Sequence, residues 1–195
     1  MTLIVITRPD FYPAEAEQIE LLLRQGLDVL HLRKPEASPQ EVATLLDKIP
    51  ANLHSHIVLH EHFELSKRYA VRGLHLNRRH PQIPVGFLGQ VSRSCHSFEE
   101  VMLWKPACDY LFLSPIYDSI SKQRYVSAFS PQQLAEASRQ GIIDRKVIAL
   151  GGITPRHFPE LKAWGFGGAA LLGDVWNQPQ ELFLSHFIKI KKEAE

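Results

Sequence analysis

The chain has 195 residues and a mass of 22.2 kDa, room for one domain with a substantial core, and its 45% hydrophobic and 22% charged residues are ordinary for a globular protein. Lys+Arg of 22 against Asp+Glu of 21 leave a net charge of +1, which gives no electrostatic footing to nucleic acid or a membrane surface as partner. The two cysteines, Cys95 and Cys108, lack metal-type spacing, no stretch has the length of a transmembrane helix, and the short apolar start has no basic leader, so a reduced, cytoplasmic setting is expected.

Short apolar runs alternate with helical patterns along the whole chain. Residues 3–6 read as a first strand, followed by a helix over 14–24 with Ile19, Leu22 and Leu23 at helical spacing and Gly26 as its stop. Residues 29–32 give a second strand, and Ser38-Pro39-Gln40-Glu41 supplies an N-cap, a first-turn proline and a capping-box carboxylate for the next helix. Strands follow at 57–59, 73–76 and 87–91, and Ser97 with Glu100 forms another capping box. Residues 110–113 precede a longer loop and a helix opened by Ser130-Pro131. Strands at 147–150 and 169–172 flank a helix capped at Thr154-Pro155, and a last helix carries Leu182, Phe183, Phe187 and Ile190. Eight strand–helix units with buried, apolar strands predict an α/β fold, a single-domain (β/α)8 TIM barrel over 1–195. The first turn, Thr7-Arg8-Pro9-Asp10, lacks the glycine-rich fingerprint that would favour an open doubly wound sheet.

In such a barrel the chemistry lies at the C-terminal ends of the strands. Gly151-Gly152 after strand seven and Gly173 after strand eight let backbone N–H groups approach an anion, the phosphate cradle expected of these two loops. Arg33, Arg93 and Lys122 follow three other strands, and Ser119 and Ser121 add hydroxyls beside Lys122, a set suited to diphosphate. His60 and His62 share one side of an extended strand end. With His80 they would make a zinc set, although hydrogen-bonded or surface histidines are the commoner state. Trp104, Phe166 and Trp176 sit near helix ends and are expected in the core; homo-oligomer formation stays open.

Six segments in register give the chain a resemblance over nearly its full length to the thiamine phosphate synthase/TenI superfamily. They are His31-Leu32-Arg33, Gly73-Leu74-His75-Leu76, Ser94-Cys95-His96-Ser97, Asp109-Tyr110, Ser114-Pro115-Ile116-Tyr117 through Ser121-Lys122, and Ala149-Leu150-Gly151-Gly152-Ile153. The resemblance implies a (β/α)8 barrel of thiamine biosynthesis that joins a hydroxymethylpyrimidine diphosphate to a thiazole phosphate and releases diphosphate with Mg²⁺. It implies that Arg33, Ser119, Ser121 and Lys122 bind the diphosphate side, that Ser94 lies near the pyrimidine, and that Gly152 and the Leu172-Gly173 turn hold the thiazole phosphate. The family's Asn-Asp-Arg after strand three is His60-Glu61-His62 here, and its second metal-binding Asp falls at His80, which leaves Glu61 as the candidate Mg²⁺ ligand. The Gln before the strand-two Arg is His31, and the Lys two residues beyond that Arg is Pro35, with Lys34 adjacent. Two other readings follow. One is a TenI-like thiazole tautomerase with His31 as its base, since Pro115 replaces that branch's histidine; the other is a barrel that binds thiazole phosphate without chemistry.

Overall fold

Eight parallel strands hydrogen-bond in chain order and close on themselves: β1 (Thr2–Ile6), β2 (Val29–Leu32), β3 (Ile57–Leu59), β4 (Gly73–Leu76), β5 (Gln90–Cys95), β6 (Tyr110–Leu113), β7 (Val147–Leu150) and β8 (Gly168–Leu171). The computed structural model describes residues 1–118 and 127–195. Outside the barrel lie α1 (Glu15–Arg24), α2 (Pro39–Asp47), α3 (Phe98–Trp104), α4 (Pro131–Arg139), α5 (Phe158–Ala163), the single turn α6 (Gly173–Trp176) and α7 (Gln180–Ala194). The expected barrel is present.

Local signals set the helix starts. Ser38 accepts from the Glu41 N–H and the Glu41 carboxylate accepts from the Ser38 N–H at 2.8 Å; Ser130 and Gln133 repeat the arrangement on α4. At α3 the Ser97 hydroxyl caps Glu100 N–H, but the Glu100 carboxylate accepts from His96 N–H at 2.6 Å instead of from the cap.

Two expectations need correction. β5 spans Gln90–Cys95 rather than 87–91. Phe87 and Leu88 belong to the preceding loop, where Leu88 is fully in solvent, and the strand hides behind the polar run Ser92-Arg93-Ser94. The eight units are also not all strand–helix pairs. After β3 there is only a 3₁₀ turn, Phe63–Lys67, and residues 77–89 between β4 and β5 hold no helix. That loop is rich in proline and glycine, which discourages helix.

The strands divide two apolar layers. Outward residues such as Leu3, Leu30, Leu74, Leu111 and Val147 pack under the helices with Ile19, Leu46, Phe158 and Phe187. Inward residues Ile4, Ile6, Val29, Val58, Phe112, Ile148 and Ala170 fill the barrel axis. Phe166 and Trp176 are buried as expected, the Trp176 indole donating to the Ile6 carbonyl at 2.7 Å. Both cysteines are free and buried, and among the described residues no helix is long and apolar enough to cross a membrane.

Candidate active site

At the C-terminal ends of the strands lies a cavity of about 410 Å³, walled by Arg33, His60, Glu61, His75, Ser94, Phe112, Leu150 and Leu172 and by loop residues that include Asn77, Arg78 and Arg79. Another groove, of about 370 Å³ between α1 and α2, lies away from the strand ends.

Arg33 leaves β2 into this cavity. Its backbone is clamped by Thr7 at the end of β1, whose hydroxyl accepts from Arg33 N–H at 2.9 Å and donates to the Arg33 carbonyl at 3.2 Å. Among the described residues its guanidinium meets no protein partner. Asn77, just beyond β4, accepts from the N–H groups of Arg79 and His80 at 2.8 and 3.0 Å. This turn carries the exposed side chains of Arg78 and Arg79 at the cavity wall. Arg93 occupies an outward position, because Ser92 and Ser94 take the inward ones. It reaches the cavity along the flank where β4 has no helix, with its guanidinium carbon 4.0 Å from the centre of the Trp104 ring. Its Nη1 is buried and has no partner among the described residues.

Under the cavity, β2, β4 and the residue just after β3 each send one histidine inward. His31 Nδ1 lies 2.8 Å from His60 Nε2, and His31 Nε2 lies 2.6 Å from the Tyr110 hydroxyl. His60 stacks on His75 with 4.2 Å between ring centres, and His75 is held at both nitrogens by Ser92 and Ser94, each at 2.8 Å. Burial drives the pKa values of His31 and His60 well below the ordinary histidine value and that of His75 down to about 3, so the three are neutral. A neutral imidazole has one donor and one acceptor. One of the two serines therefore donates to His75 and the other accepts, which fixes the Ser94 hydroxyl at the cavity floor.

Several expected site residues take other places. His31 is fully buried one layer below the cavity, because it shares its face of β2 with Arg33, which stands nearer the mouth. With both nitrogens engaged, it is a support rather than a base in contact with a ligand. Lys34 points out of the cavity and pairs with Glu15 at 2.6 Å. The zinc set His60, His62 and His80 does not assemble. His62, with φ of 54°, turns to the Ala37 carbonyl at 2.7 Å, and His80 packs against the Phe63 ring. The ligand atoms of His31, His60 and His75 do lie within 4.8 Å of one another, but His31 and His75 use both ring nitrogens in hydrogen bonds.

Leu172 lines the cavity, and Gly173 follows it at the start of α6, where the N–H groups of Gly173 and Asp174 have no backbone partner among the described residues. Gly151 and Gly152 follow Leu150 with φ of 102° and 63°. A Cβ on Gly152 would run into the Asp118 carbonyl, and one on Gly151 into Pro115, so close approach of the β6–α4 loop already demands glycine there. Ser119, Ser121 and Lys122 lie outside the described residues. Arg78, Arg79 and His96 carry no site role in the sequence reading and Glu100 only that of a helix cap, although each follows a strand end by only a few residues.

Magnesium, which the resemblance implies, takes oxygen ligands in near-octahedral geometry. Glu61 faces the cavity, but one of its carboxylate oxygens accepts from the Lys34 N–H at 2.9 Å. Glu100 is already committed to the His96 N–H, and the cavity also carries four arginines. These donors do not fit a magnesium site.

The structure is similar to the crystal structure of thiamine phosphate pyrophosphorylase from Bacteroides thetaiotaomicron, with a TM-score of 0.91 and 45% identity, covering 100% of this chain and 98% of that one. The sequence is 30% identical over 183 residues to the thiamine-phosphate synthase of Bacteroides fragilis (strain YCH46), covering 84% of this chain and 86% of that relative. A thiamine phosphate pyrophosphorylase from Pyrococcus furiosus shares the fold at a TM-score of 0.78 and 18% identity, covering 99% of this chain and 95% of that one. The model of the thiamine monophosphate synthase family (TMP-TENI) matches residues 2–175, and the chain belongs to that family.

Proposed function

We propose that this chain is a thiamine-phosphate synthase, a transferase that joins a hydroxymethylpyrimidine diphosphate to a thiazole phosphate. The observation that carries the reading is the strand-end cavity of a family member, which brings Arg33, Ser94 and Leu172 together around one space large enough for small-molecule substrates. In the reaction the bond between the pyrimidine methylene and the diphosphate oxygen breaks, and its electron pair leaves with the diphosphate. The thiazole nitrogen then bonds to the methylene carbon, and no proton has to move.

The residues suit those demands. The Arg33 guanidinium, carried on a backbone clamped by Thr7, faces the departing charge, where an arginine pairs two donors with phosphate oxygens. The Ser94 hydroxyl, fixed by His75, offers the pyrimidine a hydrogen bond. The thiazole phosphate falls to the backbone N–H groups after β7 and β8, at Gly152, Gly173 and Asp174. Ser119, Ser121 and Lys122 complete the diphosphate side on the strength of the family pattern, and the chain acts as one barrel unit in the cytoplasm.

Incubation of the purified protein with both substrates should yield thiamine phosphate and diphosphate in equal amounts, read by chromatography. Absence of product with and without Mg²⁺ would refute the reading. The tautomerase alternative draws no support from the geometry, since His31 is enclosed and hydrogen-bonded at both nitrogens.

A further inference from the structure

We propose that this protein neutralises the diphosphate with arginines of its own, chiefly Arg78 and Arg79 beside Arg33 and Arg93, and performs the transfer without a divalent cation; the proposal rests on the condensation assigned above. Among the described residues the four guanidinium groups share the cavity with two carboxylates, Glu61 and Glu100, each of which already accepts a backbone N–H. The protein therefore brings net positive charge to the site before any ligand arrives. A diphosphate, with about three negative charges, is attracted to such a cavity, and a free divalent cation is repelled from it.

Among the described residues none of these arginines is held in a tight ion pair. Arg78 makes no ion pair among the described residues, and Arg79 has only a loose contact with exposed Glu36 at 3.9 Å. Nη1 of Arg93 is buried and has no partner among the described residues, a cost that an incoming anion would relieve. The Asn77 turn sets where the pair Arg78-Arg79 leaves β4, and the lack of a helix between β4 and β5 leaves that flank open to them. During the transfer, charge grows on the leaving diphosphate oxygen as the methylene–oxygen bond breaks. Guanidinium groups already placed beside it stabilise that charge without recruiting a metal.

Inorganic pyrophosphate titrated calorimetrically into the protein in excess EDTA tests this directly. The expected result is binding in EDTA, weakened about tenfold or more for each arginine removed in Arg78→Ala and Arg79→Ala, which sit on exposed loop positions. Glu61→Gln should bind pyrophosphate at least as tightly as the parent, because it removes a negative charge from the cavity yet keeps an acceptor for Lys34 N–H. Condensation should run equally well in EDTA and in Mg²⁺. Pyrophosphate binding and turnover that both vanish in EDTA and return with Mg²⁺, or that depend on the Glu61 carboxylate, would overturn the proposal. Arginine-dependent pyrophosphate binding in EDTA without condensation under either condition supports the anion site and refutes the synthase reading alone.

Discussion

Lys34 is fully buried, and its ammonium group donates to the carbonyls of Arg8 and Asp10 at 2.9 and 2.8 Å as well as to Glu15. These bonds tie the loop after β1 to the end of β2, next to Arg33. Burial pushes the Glu15 carboxyl up and the Lys34 ammonium down from their usual values, while the attraction between them pulls the other way. Replacing Lys34 with Met strands the Glu15 carboxylate, whose Oε2 already lacks a partner among the described residues. The variant should lose about 3–5 kcal/mol in urea denaturation, and Glu15→Leu added to it should restore much of the loss. A single variant as stable as the parent would show that the pair holds nothing. At this scale the sequence was partly legible: the strand-end rule pointed to Arg33 and Arg93, the family resemblance added Ser94, Leu172 and Glu61, and all five line the cavity. It could not give depth along the barrel axis. His31 and Arg33 share a face of β2, and only the closed barrel separates the buried one from the exposed one.

Strands β2 and β4 and the residue just after β3 together place three neutral imidazoles where most barrels place aliphatic side chains. In the unfolded chain each titrates near 6.5, whereas in the fold each stays neutral below that value, His75 to about 3. Their folded pKa values are lowered, so the stability they contribute is complete above pH 6.5 and is lost as the pH falls below it. Between pH 7 and 5 the loss from His75 alone should be about 2 kcal/mol, visible as a falling urea midpoint. An unchanged midpoint over that interval would contradict the buried neutral state. The same histidines explain why β5 was misplaced from the sequence. Its inward positions are Ser92 and Ser94 because His75 needs hydroxyl partners, and this polar alternation does not resemble a buried parallel strand. Strands β2, β3, β4, β6 and β7 are mostly apolar despite His31 and His75, and their predicted limits match those observed.

For the whole molecule, regular alternation of strand and helix signals sufficed to predict the barrel, since a parallel sheet of eight strands needs covering on its outer face. The same regularity overstated the covering. Proline and glycine in residues 77–89 leave one side without a helix, and that gap admits Arg93 and the Asn77 turn to the cavity. The open flank has an optical consequence. Trp104 on α3 lies under the Arg93 guanidinium and is one of three tryptophans, the others being Trp164 and Trp176. An anion that draws Arg93 toward the cavity lifts a cation from the indole face, so Trp104 becomes a built-in fluorophore for occupancy. Pyrophosphate should change the emission of the parent protein and leave that of Trp104→Phe unaltered, giving a titration that needs no label and no turnover.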